Sequence, residues 1–364
     1  MKKFLLFVLF VGGTVFAYFW YVRGINLLQR QDARALPSYD ITARLPRKQE
    51  TPSRPAPVAD VGSYVWYGAA SMPNPRTGVA VASIDSHVYV VGGVDGFDRT
   101  VTDVDIYDAK SDTWTNVQPL PHGVRESAIA AVNGKLYVIG GFEGLAETSL
   151  NTLYIYDPGK NQWSQGKSLP EALGGSAAVA VDGKIHVFGG RSLGTDVDTN
   201  WVYDPVTDTW SGDIQMGVGR ERMDAVLVGR KVYLIGGRQG SLVYNLDAVD
   251  VYDLDRKTWD AAILMPRKRS DLAALEFQGK IYVFGGEAPT LTFGEIDVYD
   301  VAANRWSTMK QTMPHPRHGL GGTVVDGKFF LIGGGQRPGI SVSDFNEVLA
   351  PPDVAPAKVP AAKP

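Results

Sequence analysis

Residues 135–141 read KLYVIGG, a short apolar run that ends in two glycines. Five other Gly-Gly doublets end similar runs, and the six doublets are spaced 48, 49, 47, 49 and 48 residues apart. They are Gly92-Gly93, Gly140-Gly141, Gly189-Gly190, Gly236-Gly237, Gly285-Gly286 and Gly333-Gly334. A fixed period of this length indicates an array built from one repeated unit.

Each unit carries the signals of four strands, which we name a to d. Strand a is small and apolar, as in residues 127–132 (SAIAAV), and strand b is the run that ends in the doublet. Residue pairs such as Asn133-Gly134 lie between strands a and b. They predict a hairpin, because they supply the positive φ angles that two-residue turns need. Strand c ends in Tyr-Asp, and strand d holds a Trp seven residues after that Tyr. Small inner and bulky outer strands predict a β-propeller.

The two ends of the array predict how the ring closes. Trp66 lies upstream of the first doublet and has no strands a to c before it, whereas the segments 323–325, 329–334 and 345–349 supply a, b and c with no following Trp. We therefore expect an all-β fold of six four-stranded antiparallel blades over residues 61–350. The N-terminal strand d completes the C-terminal blade and removes an open sheet edge.

The flanks of this domain have a different composition. Residues 4–22 are 19 uncharged residues between Lys3 and Arg23, which is enough to cross a bilayer as a helix. We expect residues 1–23 to form a transmembrane signal anchor, with a signal peptide cleaved after Ala17 as the alternative. Residues 24–60 are interpreted as a disordered tether, and residues 351–364 as a disordered Pro/Ala/Lys tail.

Charge and composition exclude several classes of function. Residues 61–350 carry 25 basic and 34 acidic residues, which argues against binding to nucleic acid. The absence of Cys excludes disulfides and thiolate metal sites. The five histidines show no metal-ligand spacing, and no phosphate loop or nucleophile elbow is present. We therefore predict no cofactor and no metal.

The combination of doublet, Tyr-Asp and Trp at this period resembles the kelch-repeat family over about residues 61–350. That resemblance implies a six-bladed propeller, but not one function, because the family includes binding modules, substrate adaptors and a few enzymes. Galactose-oxidase-like relatives use a cysteine-linked tyrosine with copper, and this chain has no Cys from which to form it.

Arginines recur at the start of strand a, in the links between blades. In a four-stranded meander these links lie at the same end as the b–c loops, so we expect an arginine ring at one mouth of the central channel. The candidate ligand-binding residues are Arg76, Arg125, Arg220, Arg269 and Arg317. A guanidinium group recognises carboxylate or phosphate. The alternative for each of these arginines is a structural role, in which it satisfies loop carbonyls or pairs with a nearby acid such as Asp95, Glu143 or Glu287. In adaptor kelch propellers, arginines at matching positions contact acidic peptides, so the resemblance implies an acidic ligand.

Two functional hypotheses follow for this mouth, and a scaffold that acts through its lateral surface is a third alternative. The favoured one is a membrane-tethered binding module for an acidic protein, peptide or other anionic ligand, with an extracytoplasmic propeller (periplasmic in a bacterium). The alternative is an exported sugar-acid mutarotase or epimerase resembling N-acetylneuraminate mutarotase, with Glu143 or Glu287 as the proton-transfer group. The b–c loops are short, with no insertion to form a lid, and this favours binding over catalysis.

Overall fold

The computed structural model describes residues 64–351, which form six four-stranded antiparallel sheets. Within this range no helix is long and apolar enough to cross a membrane. The predicted anchor, the tether and all but the first residue of the tail lie outside the described residues.

The strands follow the predicted order in every blade. Blade 1 contains β2 (Ala80–Ile84), β3 (His87–Val91), β4 (Val104–Asp108) and β5 (Thr113–Asn116). Blade 2 contains β6 (Ala128–Val132), β7 (Lys135–Ile139), β10 (Leu153–Asp157) and β11 (Gln162–Gln165). Blade 3 contains β12 (Ala177–Val181), β13 (Lys184–Phe188), β16 (Asn200–Asp204) and β17 (Thr209–Gly212). Blade 4 contains β18 (Asp224–Val228), β19 (Lys231–Ile235), β20 (Val249–Asp253) and β21 (Thr258–Ala261).

The last two blades complete the ring. Blade 5 contains β22 (Ser270–Phe277), β23 (Lys280–Ala288), β25 (Glu295–Asp300) and β26 (Arg305–Thr312). Blade 6 contains β27 (Gly321–Val325), β28 (Lys328–Ile332), β29 (Asn346–Ala350) and β1 (Val65–Gly68). The b–c loops add the short strands β8 (Phe142–Glu143), β9 (Thr148–Ser149), β14 (Arg191–Ser192), β15 (Thr195–Asp196) and β24 (Leu291–Thr292), with a 3-10 turn at Leu242–Tyr244.

The predicted closure is confirmed by the pairing of the first and last strands. β1 pairs antiparallel with β29, and Trp66 lies opposite Leu349. The inner strands β2, β6, β12, β18, β22 and β27 contact one another in a closed circle. Val65 pairs with Ala350, so both ends of the described chain lie at the end of blade 6 remote from its b–c loop.

The doublet glycines are required because adjacent blades approach closely. Gly140 has a φ of +59°, and a Cβ there would lie 2.2 Å from the carbonyl oxygen of Leu173 in the next blade. A larger residue would push the blades apart, so the doublets belong to the scaffold.

The repeated tryptophans join neighbouring blades at the outer rim. The indole of Trp114 donates a hydrogen bond to the Ala70 carbonyl at 2.7 Å, and Trp163 donates to Gln118 at 2.8 Å. Trp210, Trp259 and Trp306 make the equivalent bonds to Lys167, Ile214 and Ile263. Each indole therefore satisfies a carbonyl of the preceding blade as well as filling the space between sheets.

Candidate functional site

Four of the five predicted arginines are fully buried. Arg76, Arg220, Arg269 and Arg317 have no exposed surface, and each forms an ion pair with an acid on strand c of its own blade. We call these four residues the brace arginines. Arg76 Nη2, for example, lies 2.5 Å from Asp105 Oδ2 on β4, and neither side chain is exposed. The expected ring of accessible guanidinium groups does not form in this structure, and this placement favours a structural role.

The brace arginines occur only where strand c carries an acid. Their partners are Asp105, Asp250, Asp297 and Glu347. In blade 2 the arginine is replaced by Val124 and the acid by Tyr154, while blade 3 has Leu173 and Trp201 at these positions. Val124 and Leu173 are fully buried as well. The position is therefore a core site that holds either an ion pair or an apolar side chain.

Arg125 lies one position further along the chain than the brace arginines. The equivalent residues of the other five blades are Thr77, Gly174, Glu221, Ser270 and His318. Each of them pairs with a residue of a b–c loop through a β-bridge. Arg125 is 6% exposed, and its Nη2 donates a hydrogen bond to Glu147 Oε1 at 3.1 Å. Of the five predicted site residues, it alone belongs to the charged cluster at the channel mouth.

A ring of backbone hydrogen bonds surrounds the propeller axis at this mouth. The residue that follows Arg125, or its equivalent in the other links, has a left-handed φ of +48° to +64°. Its backbone N–H donates a hydrogen bond to the carbonyl of the equivalent residue in the preceding blade, at 2.7 to 3.0 Å. The six residues are Gly78, Glu126, Gly175, Arg222, Asp271 and Gly319. Glycine suits this conformation, whereas charged residues adopt it at a cost. Three charged side chains in such a ring indicate a functional position.

Charged residues from five blades surround this ring, and we call them the mouth cluster. Its members are Arg125, Glu126, Glu147, Arg191, Asp196, Glu221, Arg222, Arg238, Asp271, Glu287 and His318. Arg222 is central, with its Nη2 2.8 Å from Glu126 Oε2 and its Nη1 3.2 Å from Asp271 Oδ2. Blade 1 has the uncharged Thr77, Gly78 and Val94 at the equivalent link and bridge positions. The charges of the mouth cluster therefore come from blades 2 to 6.

The pKa values of the acids in the mouth cluster are shifted in different directions. Burial raises the pKa of Glu126 and of Glu287 to about 8 and that of Asp196 to about 6, since a charged carboxylate is poorly solvated there. Burial alone would also raise the pKa of Asp271, but the charges of Arg222 and Arg238 lower it overall. Neighbouring acids with opposite shifts are typical of functional sites.

His318 lies beside two of these acids. Its Nε2–H donates to the Arg337 carbonyl at 3.0 Å, which leaves Nδ1 as the acceptor nitrogen, 3.6 Å from Glu287 Oε2. Burial lowers the pKa of His318, so the ring is neutral at pH 7. The spacing of histidines in the chain gave no sign of this grouping, because Asp271, Glu287 and His318 come from separate segments of blades 5 and 6.

Below the ring, a channel of about 260 Å³ runs between the six inner strands. Small residues line most of it, as the sequence predicts. Asp224 is an exception: it accepts hydrogen bonds from the backbone N–H groups of Ala225 and Ala274, both at 2.8 Å, and burial raises its pKa to about 6.

Each of the six b–c loops has an exposed apolar side chain at its tip, and we call this set of side chains the crown. They are Phe97, Leu145, Leu193, Val243 with Tyr244, Leu291 and Ile340. Leu193 is 94% exposed and has a φ of +48°, a conformation that is unfavourable for leucine. The other two loop aromatics, Phe142 and Phe293, are buried and half-buried respectively. The crown surrounds the mouth cluster.

Comparison with protein families identifies the repeat. The family model described as "KLHDC2/KLHL20/DRC7 Kelch-repeats domain" matches residues 58–168, 119–265 and 217–350. The chain belongs to the kelch-repeat family. A comparison with curated protein sequences gives no match.

Solved structures agree with this kelch fold. The structure titled "Structure of YjhT" is similar with a TM-score of 0.69, covering 77% of this chain and 96% of that chain at 18% identity. In all, 1103 chains of solved structures match. At such low identity the likeness shows the fold alone, and kelch folds carry several functions. Function therefore has to be argued from the mouth cluster and the crown.

The two candidate proton-transfer acids have different surroundings in the kelch propeller. Glu143 is about half exposed and pairs with the half-exposed His122, whose Nε2 lies 3.1 Å away. Glu287 is buried in the mouth cluster. Arg222, Arg238 and Asp271 were missed by the sequence analysis, although the first and last interrupt a position that is glycine in three blades. That departure from the repeat is the signal that locates the cluster.

Proposed function

We propose that this kelch propeller is a binding module whose partner docks on the crown and places an anionic group at the mouth cluster. The observation that carries the proposal is the crown itself, with an exposed apolar tip on every b–c loop. Exposed apolar side chains that are grouped at one end of a domain mark a surface that a protein partner can cover. Leu193 strengthens the argument, because its strained backbone has no benefit for folding.

The partner class is an acidic protein or peptide. Arg191 is the mouth guanidinium with the most exposed side chain, at 24%, and Arg125 and Arg222 lie deeper beside it. A carboxylate that enters between the loop tips meets these groups where little water competes. Apolar contact with the crown would supply affinity, and the guanidinium groups would select charge.

A photo-crosslinking experiment tests where the partner binds. The photoreactive amino acid p-benzoylphenylalanine replaces Phe97, Leu193 or Val243 in the full chain, and Val206 in a c–d turn at the opposite end serves as the control. Val206 is 86% exposed, so its accessibility to solvent is similar to that of the crown positions. We expect crown positions to crosslink one acidic partner that Val206 does not. Equal crosslinking from both ends, or a partner without an acidic segment, contradicts the proposal.

A sugar-acid mutarotase is the second candidate, and the Glu287–His318 pair favours it. A carboxyl with a pKa near 8 beside a neutral imidazole can exchange protons near pH 7. Proton NMR of N-acetylneuraminate anomers measures this activity directly. Faster interconversion that is lost in Glu287→Gln, but not in Glu143→Gln, would establish the enzyme, and no acceleration would exclude this substrate.

We also propose an orientation for the propeller at a membrane, which follows from the position of the two described ends. Both described ends leave from the end of blade 6 opposite its b–c loop, so a tether there turns the crown away from the bilayer. Cysteine labelling of the full chain in membranes compares Gly96→Cys, in a b–c loop, with Val206→Cys. We expect faster labelling at residue 96 in the compartment that holds the propeller. Equal protection of both would contradict this orientation.

A further inference from the structure

Asp271, Glu287 and His318 form a compact group at the junction of blades 5 and 6. One potential ligand atom from each lies within 4.8 Å of the other two, and all three residues are buried. Asp271 belongs to the backbone ring, Glu287 follows a glycine doublet, and His318 precedes the ring position of blade 6. The backbone of the fold, rather than a flexible loop, thus holds the three side chains together.

His318 Nδ1 is available as a metal ligand. The His318 side chain is only 6% exposed, and Nδ1 has no hydrogen-bond partner among residues 64–351. The bond from Nε2–H to the Arg337 carbonyl fixes the ring and leaves the Nδ1 lone pair directed towards Glu287. A backbone carbonyl that holds the far nitrogen is the usual arrangement for a metal-bound histidine.

We infer that Asp271, Glu287 and His318 form a binding site for a divalent transition metal ion of the Zn²⁺ type. Imidazole nitrogens and carboxylate oxygens are both ligands of these ions. Ligand atoms about 2.1 Å from a tetrahedral metal lie roughly 3.4 Å apart. The 3.6 Å between His318 Nδ1 and Glu287 Oε2 is close to that value, and the ligand atoms of all three residues lie within 4.8 Å of one another.

The charge balance of the mouth cluster agrees with a bound cation. The cluster contains six carboxylates and four guanidinium groups, an excess of two acids. A divalent ion would balance the formal charge of these side chains. The metal site does not depend on the anionic partner.

Two arginines contact the carboxylates of this group. Arg222 Nη1 lies 3.2 Å from Asp271 Oδ2, and Arg238 Nη1 lies 3.4 Å from Glu287 Oε1 and 3.6 Å from Asp271 Oδ2. The N–H of Gly339 donates to Glu287 Oε2 at 3.0 Å. Carboxylates that bind metals are usually held by such donors, which orientate them and reduce their mutual repulsion.

The repeat provides an internal comparison for this group. At the junction of blades 4 and 5 the equivalent residues are Arg222, Arg238 and Ser270, and at that of blades 6 and 1 they are Gly319, Gly335 and Thr77. The remaining three junctions carry no imidazole at these positions. Within the described residues, only the junction of blades 5 and 6 has the ligand set, so it is not a by-product of the fold.

Metal titration of the full chain tests the site. The protein is stripped with EDTA and titrated with Zn²⁺ in competition with a chromophoric chelator, and Co²⁺ is added separately for its visible absorption. We expect one tightly bound equivalent, tetrahedral Co²⁺ bands and a higher melting temperature with Zn²⁺. His318→Gln and Asp271→Asn should each weaken binding by at least about tenfold.

The control is the exposed His122–Glu143 pair at the same end of the propeller. His122→Gln should bind Zn²⁺ as the wild type does, and circular dichroism confirms that each variant is folded. Failure of the wild type to bind Zn²⁺, Co²⁺, Mn²⁺ or Ni²⁺ stoichiometrically overturns the inference. Unchanged binding in folded His318→Gln also overturns it. Neither result affects the crosslinking test of the binding module.

Discussion

The brace arginines and two arginines of the mouth cluster, Arg125 and Arg222, differ by one or two positions in the links, yet they have different surroundings. Arg76 and its three counterparts each pair within their own blade, with an acid that recurs on strand c. Arg222 instead pairs with acids from blades 2 and 5, and no other blade has an arginine at its position. Recurrence marks residues that each blade needs for itself, whereas departure from the repeat marks residues that act once, at the mouth.

Removing one brace arginine should have the largest effect on stability. Arg76→Ala leaves Asp105 buried without its charge partner, and we expect a loss of about 3–5 kcal/mol in the free energy of unfolding. The double variant Arg76→Met/Asp105→Leu should recover most of that loss, because an apolar pair fills the same site in blades 2 and 3. Urea denaturation followed by tryptophan fluorescence measures both.

The control is Arg99→Ala, which breaks the pair with Asp95 in a b–c loop. Arg99 is 71% exposed and its ion pair is screened by water, so this change should lower the free energy of unfolding far less than Arg76→Ala does. If Arg76→Ala lowers the free energy of unfolding no more than Arg99→Ala does, the brace arginines are not structural. That result would again favour the prediction from the sequence that they bind the ligand.

The sequence predicted the repeat architecture more completely than it predicted the surroundings of the arginines. The doublet period, the Asn-Gly turns and the displaced Trp66 predicted the blade number, strand order and closure, because each depends on local backbone geometry. The arginines were located correctly at the strand a starts, but their burial was not foreseen. It depends on Asp105 and its equivalents, some 30 residues away on strand c, and an alternating VDIYD pattern does not show which face that acid occupies.

The mouth cluster was harder to predict for a different reason. Glu126, Arg222 and Asp271 lie far apart in the chain and meet only because the propeller closes around its axis. Aligning the six links would have shown charged residues where three blades have glycine. The Asp271, Glu287 and His318 group needs the three-dimensional arrangement of two blades, which no spacing within one segment encodes.

Glu126→Gln should change the pH dependence of stability. The folded pKa of Glu126, about 8, lies above its unfolded value, so its protonated form stabilises the fold below the unfolded pKa. That contribution decreases as pH rises towards 8. With EDTA present, we expect unfolding free energy to fall between pH 6.5 and 8 more steeply in the wild type than in Glu126→Gln. Parallel profiles would mean that Glu126 is charged in the folded protein.

Leu193→Asn should have the smallest effect on stability and the opposite sign. Leu193 and Gly194 both have positive φ angles in the tight turn between β14 and β15, where asparagine is favoured before glycine. We expect the variant to be more stable by about 0.5–1 kcal/mol and to bind the crown's partner more weakly. Urea denaturation and a titration with the crosslinked partner measure the two effects. A variant that gains stability and keeps its affinity would show that this loop tip does not contact the partner, whereas a loss of both would place Leu193 with the scaffold residues.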